Sequence, residues 1–332
     1  MYVSGCARVH VCELSNCMCV SLRLVQAQEL HSFIEATKNA GSEDHFETQE
    51  GGALLLWFLP PAEAAPPNSI VLCVHGLGCA GRDPNAGGFD QPETRMLRRF
   101  GRVVAPDLLG HGGSAVPRGE ERYHMRRHAE YLVQLLRCLN AEHVYLIGHS
   151  MGGPIALATA EMLQAPGDAK SPRVCALLYS EPNVDGGDCF GSRGGVRDGD
   201  NLDAQWKDGI ATAHAATSVA EGALWPRQHN LRLANAACCR DLVRESDSGE
   251  LLPRMQALRG GDWPIPSLCL IGNQNRGLLT SEAALLAGGF PVKYIEDAGH
   301  CQHIDNPKDF YVAAEEFFAE ATAAHDVAMQ DR

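Results

Sequence analysis

The sequence predicts an α/β protein: a doubly wound, mostly parallel sheet with a helical cap. Three observations carry that expectation. Short, fully apolar runs recur along the chain, the mark of strands buried on both faces. Segments of helical periodicity separate them, and such alternation builds a parallel sheet covered by helices. The stretch 182–264 breaks the rhythm. It opens rich in Gly and Asp, turns helical and holds no convincing strand, so it reads as a lid inserted between two strands.

The elements follow in order. Residues 1–40 are expected to be an extension, disordered or helical. Within and just beyond it, "LRLVQAQELHSFIEATKNAG" spaces apolar residues helically and stops at Gly41. "HFETQEGGALLLWFL" reads as two strands around a Gly51–Gly52 turn, and "PPAEAAPPNS" as a proline-rich loop. "SIVLCV" (69–74) and "RVVAPD" (102–107) read as strands. "ERYHMRRHAEYLVQLLRCLN" (121–140) is an amphipathic helix with Tyr131, Leu132, Leu135, Leu136 and Leu139 on one stripe. "HVYLIG" (143–148) is a strand, 151–164 a helix of small residues, and "VCALLYS" (174–180) a strand. "DAQWKDGIATAHAATSVAEG" and "NLRLANAACCRDLVRE" are helices of the lid. "SLCLIG" (267–272) and "VKYIE" (292–296) are the last strands. "NPKDFYVAAEEFFAE" (306–320) closes the fold with Phe310, Ala314 and Phe317 on one face. The expected core is 41–181 with 265–325, and the lid is 182–264.

Net charge is −13, and the basic pair Arg126–Arg127 falls in a helix. A nucleic-acid partner, which needs a basic patch, is not expected. Nor is a membrane span: the longest apolar run, "ALLLWFLPPA", stops at Pro60–Pro61, short of the roughly 18–20 residues required. Arg8, His10, Glu13 and Asn16 interrupt what would be the apolar region of a signal peptide. Thirteen cysteines are present. Cys6, Cys12, Cys17 and Cys19 contain no C-x2-C pair, so a zinc knuckle is not expected. The others are scattered, several in strands (Cys73, Cys175, Cys269), as for reduced thiols in the cytoplasm or an organelle lumen.

The sharpest motif is "LIGHSMGG" (146–153), of the form G-x-S-x-G. It joins a strand to a helix, the context in which Ser150 sits on a strained turn with its hydroxyl exposed. Gly148 and Gly152 remove side chains that would collide across the turn. "VHGLGCAG" (74–81) follows a buried strand. A sharp turn at His75–Gly76 can present the N–H of Leu77 beside that of Met151 as a two-donor oxyanion hole. Asp107 and His111, in "APDLLGHGGSAVP", are expected to brace the loop. In "DAGHCQHIDNP" (297–307), His300 is the candidate general base, and His303 is expected to pack in the first helical turn.

With "HGLG", "DLLGHGGS", "GHSMGG" and "GHCQHIDNPKDF" in this order, the chain resembles the α/β-hydrolase superfamily over about residues 44–322. The resemblance implies an eight-stranded, mostly parallel sheet, a helical cap and a Ser–His–acid triad, with no metal and no organic cofactor. In most members the acid follows the strand matching "SLCLIG", three residues past a glycine. Here that position is Asn275, which can hold an imidazole but cannot stabilise an imidazolium by charge. "LLYSEPNV" (177–184) instead places Glu181 at the end of the previous strand. Haloalkane dehalogenases and their luciferase relatives carry a glutamate acid there, alongside an aspartate nucleophile that this chain lacks. The expected triad is Ser150–Glu181–His300, with Asp185 and Asp188 as fallback acids and a mere lid-start salt bridge as the alternative for Glu181.

The expected reaction is cleavage of a carboxylic ester or thioester through an acyl-enzyme. Carbon–carbon bond hydrolysis and cofactor-free perhydrolysis use the same triad. A weakly catalytic ligand receptor or scaffold is the reading from another class. Phe190, Trp206, Trp225 and Trp263 in the lid imply a small to medium, mostly apolar substrate. Arg193 is either an anion contact or an exposed lid residue.

Overall fold

The computed structural model describes residues 10–14, 17–22, 42–48, 53–115, 120–165, 171–189, 192–193, 232–261 and 264–330. The strands are β1 (His10–Leu14), β2 (Cys17–Leu22), β3 (Ser42–Glu47), β4 (Ala53–Leu59), β5 (Ser69–Val74), β6 (Arg102–Pro106), β7 (His143–His149), β8 (Arg173–Ser180), β9 (Ser267–Gly272) and β10 (Val292–Ile295). They form one sheet in the order β1-β2-β3-β4-β6-β5-β7-β8-β9-β10. From β6 through β10 every pairing is parallel; β4 pairs antiparallel with β3 and with β6. Eight strands, β3 to β10, account for the expected sheet. The hairpin β1–β2 adds to its edge, β2 pairing in parallel with β3.

Seven helices among the described residues concern the site: α1 (Met125–Cys138), α2 (Gly152–Gln164), α3 (Arg232–Asp247), α4 (Leu251–Gly260), α5 (Thr280–Ala287), α6 (Gln302–Asp305) and α7 (Pro307–Gln330). The central strands have no solvent face because helices cover both sides. Along β5, Ile70, Leu72 and Val74 join the core beneath α1 and α2, whereas Val71 and Cys73 join the core against α7. β7 alternates in the same way, Val144 and Leu146 against Tyr145 and Ile147. Period-two alternation between two apolar cores makes each strand read as one continuous apolar run.

Several expectations are adjusted at their ends. The helix expected over 121–140 begins as a 3-10 turn, Glu120–Tyr123, before α1 takes over. The closing helix runs on to Gln330. In the lid, the helix read over 230–245 is α3, followed by α4, whereas the helix read over 203–222 lies outside the described residues. So do Phe190, Trp206, Trp225, Trp263 and the helix read over 22–41, apart from Leu22 in β2. The fallback acids Asp185 and Asp188 both accept from backbone N–H groups. Asp185 caps the short turn Gly186–Asp188, and the Asp188 carboxylate accepts from Thr280 N at 2.8 Å and Ser281 N at 2.7 Å, at the start of α5. Arg193 is ion-paired with Asp247 and donates to Gly186 O at 3.0 Å.

The nine cysteines from Cys73 to Cys301 are thiols and form no disulfide with one another. No described helix is long and apolar enough to cross a membrane. Among the described residues no group of three His, Cys, Asp or Glu side chains is placed to hold a metal ion.

Candidate active site

The loops that leave β5, β7, β8, β9 and β10 meet at the carboxyl edge of the sheet. Chain order and spatial order diverge at β5, which has β6 on one side and β7 on the other, and such switch points form crevices. Ser150 follows β7 with φ +53°, a left-handed conformation that costs a non-glycine residue about 1–3 kcal/mol. Two backbone bonds hold it there: Ser150 N to Ser180 O at 2.9 Å, and Gly153 N to Ser150 O at 2.8 Å. The turn is tight enough to exclude side chains. A Cβ on Gly152 would lie 2.2 Å from Val74 O, and one on Gly148 would lie 2.5 Å from Gly152 O.

The loop after β5 packs directly on this elbow. A Cβ at Gly76 would sit 3.1 Å from Ser150 Cβ. His75 ties the loop down from below. Its Nδ1–H donates to Gly76 O at 2.7 Å, and its Nε2 accepts from Leu108 N at 2.8 Å. That pair of contacts defines a neutral tautomer, and burial pushes the imidazole down to about 4. Leu77 is partly buried at this turn, and Met151 is fully buried at the start of α2. Asp107 braces the neighbouring loop: its carboxylate accepts from Gly81 N at 2.5 Å and Gly113 N at 2.7 Å. His111 is fully buried, with Nδ1 3.2 Å from Leu109 O.

Glu181 follows β8 and also has a positive φ, +39°. It is 3% exposed. His300 Nδ1 donates to Glu181 Oε2 at 2.7 Å. The other contacts of the carboxylate come from the end of β9. Gly272 N donates to Oε1 at 2.9 Å, and Asn275 Nδ2 lies 3.0 Å from each oxygen. Asn275, at the position where the resemblance placed an acid, is thus a donor to the glutamate of the neighbouring strand. With Nδ1 donating to Glu181, the neutral imidazole of His300 carries its lone pair on Nε2, the atom a general base uses.

His300 is held from behind. His149 Nε2 donates to its carbonyl at 3.0 Å, and Gly299 N donates to Asp305 Oδ2 at 3.0 Å. Burial pushes His149 well below the ordinary histidine value and His303 down to about 4. His303 stacks on Phe89, ring centroids 4.6 Å apart, and donates to Gly87 O at 3.1 Å. Two further side chains meet the site. Gln302, fully buried, accepts from the Ser180 hydroxyl. Asn183 Oδ1 accepts from Ser150 Oγ at 3.1 Å. Only its place two residues beyond Glu181 could have drawn attention to Asn183.

Comparison with known proteins bears on the fold that carries this geometry. The model of the family described as "Alpha/beta hydrolase family" matches residues 71–314. An uncharacterized protein of Mycobacterium tuberculosis is 37% identical over 90 residues, 27% of this chain, and the match spans 24% of that relative's length. Among solved structures, a haloalkane dehalogenase from Bradyrhizobium elkanii superposes with a TM-score of 0.62 at 20% identity, covering 86% of this chain and 99% of the other. A thermophilic esterase from Thermogutta terrifontis gives a TM-score of 0.60 at 21% identity, with 85% and 99% coverage. At such identities the likeness is one of fold.

Proposed function

The chain belongs to the α/β hydrolase family, and from that premise we propose that it is a serine hydrolase cleaving a carboxylic ester or thioester through an acyl-enzyme. The observation that supports this most is the 2.7 Å bond from His300 Nδ1 to a buried Glu181, beside a serine on a left-handed elbow. His300 Nε2 takes the Ser150 proton as Oγ attacks the carbonyl carbon. The Glu181 charge stabilises the imidazolium that results. The Leu77 and Met151 N–H groups hold the oxyanion, each worth a few kcal/mol in the transition state. His300 returns the proton to the leaving alcohol or thiol, then activates water to release the acid.

The substrate we propose is small to medium and mostly apolar, in keeping with the lid composition. A fluorophosphonate probe is expected to label Ser150, and Ser150→Ala to abolish labelling. A folded wild-type protein that stays unlabelled would sink the hydrolase reading and favour a ligand receptor. Turnover of p-nitrophenyl esters of graded chain length, alongside acyl-CoA thioesters, then separates the ester and thioester forms of the proposal.

A further inference from the structure

We propose that Asn183 is a fourth catalytic residue, one that holds the Ser150 hydroxyl away from His300 until substrate enters. The proposal rests on the serine-hydrolase reading above. Ser150 Oγ–H donates to Asn183 Oδ1 at 3.1 Å. A hydroxyl has one proton to give, so while it points at the amide oxygen it is not in line with His300 Nε2. An amide oxygen does not accept that proton at neutral pH. The contact is therefore a resting arrangement that has to break before attack.

The backbone that carries Asn183 is pinned from two sides. Ser246 Oγ, on α3 of the lid segment, donates to Asn183 O at 3.1 Å. Ser281 Oγ, on α5 of the core, accepts from Val184 N at 3.1 Å and Asp185 N at 3.0 Å. The side chain thus projects from a fixed stem, and one of its fixings belongs to the lid.

The chemical step balances without any added reagent. A substrate carbonyl displaces the hydroxyl from Asn183, and the proton passes from Oγ to His300 Nε2. The Oγ–C bond forms as the carbonyl π pair moves onto its oxygen; that pair then returns, the bond to the alcohol or thiol group breaks, and the leaving group takes the proton from His300 Nε2. Asn183 Oδ1 loses its donor while the acyl-enzyme lasts. Hydrolysis regenerates the Ser150 hydroxyl, which returns to Oδ1.

The test is the second-order rate at which a small alkyl fluorophosphonate labels Ser150, measured with the melting temperature of each variant. Asn183→Leu keeps the volume and loses the acceptor; Asn183→Ala loses both. Each is expected to be labelled about three- to tenfold faster than wild type, the factor a net hydrogen bond of this kind supplies. Ser246→Ala is expected to move the rate the same way by less. Asn183→Asp, of the same size and so the safest to fold, accepts more strongly and is expected to slow labelling at least about tenfold. Purely structural damage would not accelerate the nucleophile. Leu and Ala variants labelled at or below the wild-type rate overturn the proposal, as does an Asp variant at or above it. A wild type that is not labelled removes the hydrolase reading itself. A labelled wild type with unaccelerated variants removes only the role of Asn183.

Discussion

Strands β8 and β9 are parallel neighbours that end in different chemistry. β8 leads into Glu181, an acid on a left-handed residue, 3% exposed. β9 leads into Gly272 and the turn Asn273–Asn275, which offers N–H donors. Read separately, the first resembles a lid anchor and the second a triad with its acid missing. Read together they form one unit: three donor contacts from the β9 side and one from His300 converge on a single carboxylate. Burying a carboxylate is costly unless its lone pairs are used, and here the neighbouring strand end uses them. The strand that bears the acid matters less than the point in space where the acid meets the imidazole.

The largest expected effect breaks the β8 half. Glu181→Gln keeps the size and removes the charge, so kcat should fall about 10³- to 10⁴-fold with the melting temperature within a few degrees of wild type. Ester turnover by the purified variant checks this, and near-normal turnover would remove Glu181 from the mechanism. The next effect reverses the comparison. Glu181→Gln combined with Asn275→Asp exchanges acid and amide between the strand ends. It should recover at least about tenfold of the lost kcat, because the carboxylate then approaches the imidazole from β9. A double variant no better than Glu181→Gln would mean that only the β8 end can serve His300. Breaking the β9 half alone should cost less. Asn275→Leu removes two contacts to the carboxylate and leaves Gly272 N, and a loss of about tenfold in kcat, with KM little changed, is the expected steady-state result.

The two strand ends also differ in how legible they were. β5 and β7 could be read because both faces are buried, so their central residues are apolar, with Val71, Leu72, Val144 and Leu146 all fully buried. The elbow could be read because its sterics demand glycine at Gly148 and Gly152. Glu181 was legible through topology, since a carboxylate at a strand's carboxyl end faces the crevice of a doubly wound sheet, and through the resemblance to haloalkane dehalogenases, which carry a glutamate there. Its contact to His300 spans 119 residues and its contacts to Asn275 span 94, distances at which no local pattern survives. The Ser150–Asn183 contact escaped for the same reason, since asparagine in a loop most often serves a turn. The hairpin β1–β2 carries no long apolar run, and β2 finds its pairing partner in β3, beyond any short-range signal.

The smallest effect sharpens the comparison between the strand ends, where charge is held, and the layer behind His300, where it is excluded. His303 faces His149, 4.9 Å away between ring centroids, with Phe89 and Phe310 beside it, and burial pushes it down to about 4. Unfolded, the same side chain titrates near 6.5. Above that value both states are neutral and stability does not depend on this group. Below it the unfolded state binds the proton first, so the stability that His303 contributes is lost as pH falls from about 6.5 towards 4, by at most about 1.4 kcal/mol per pH unit. His303→Gln can still donate to Gly87 O and does not titrate. It should be less stable at pH 7.5 through poorer stacking on Phe89, yet lose about 1.4 kcal/mol less than wild type on going to pH 5.5. Urea unfolding at the two pH values measures both quantities. Equal losses would mean that His303 takes up its proton inside the fold, and that the layer behind His300 tolerates charge as the strand ends do.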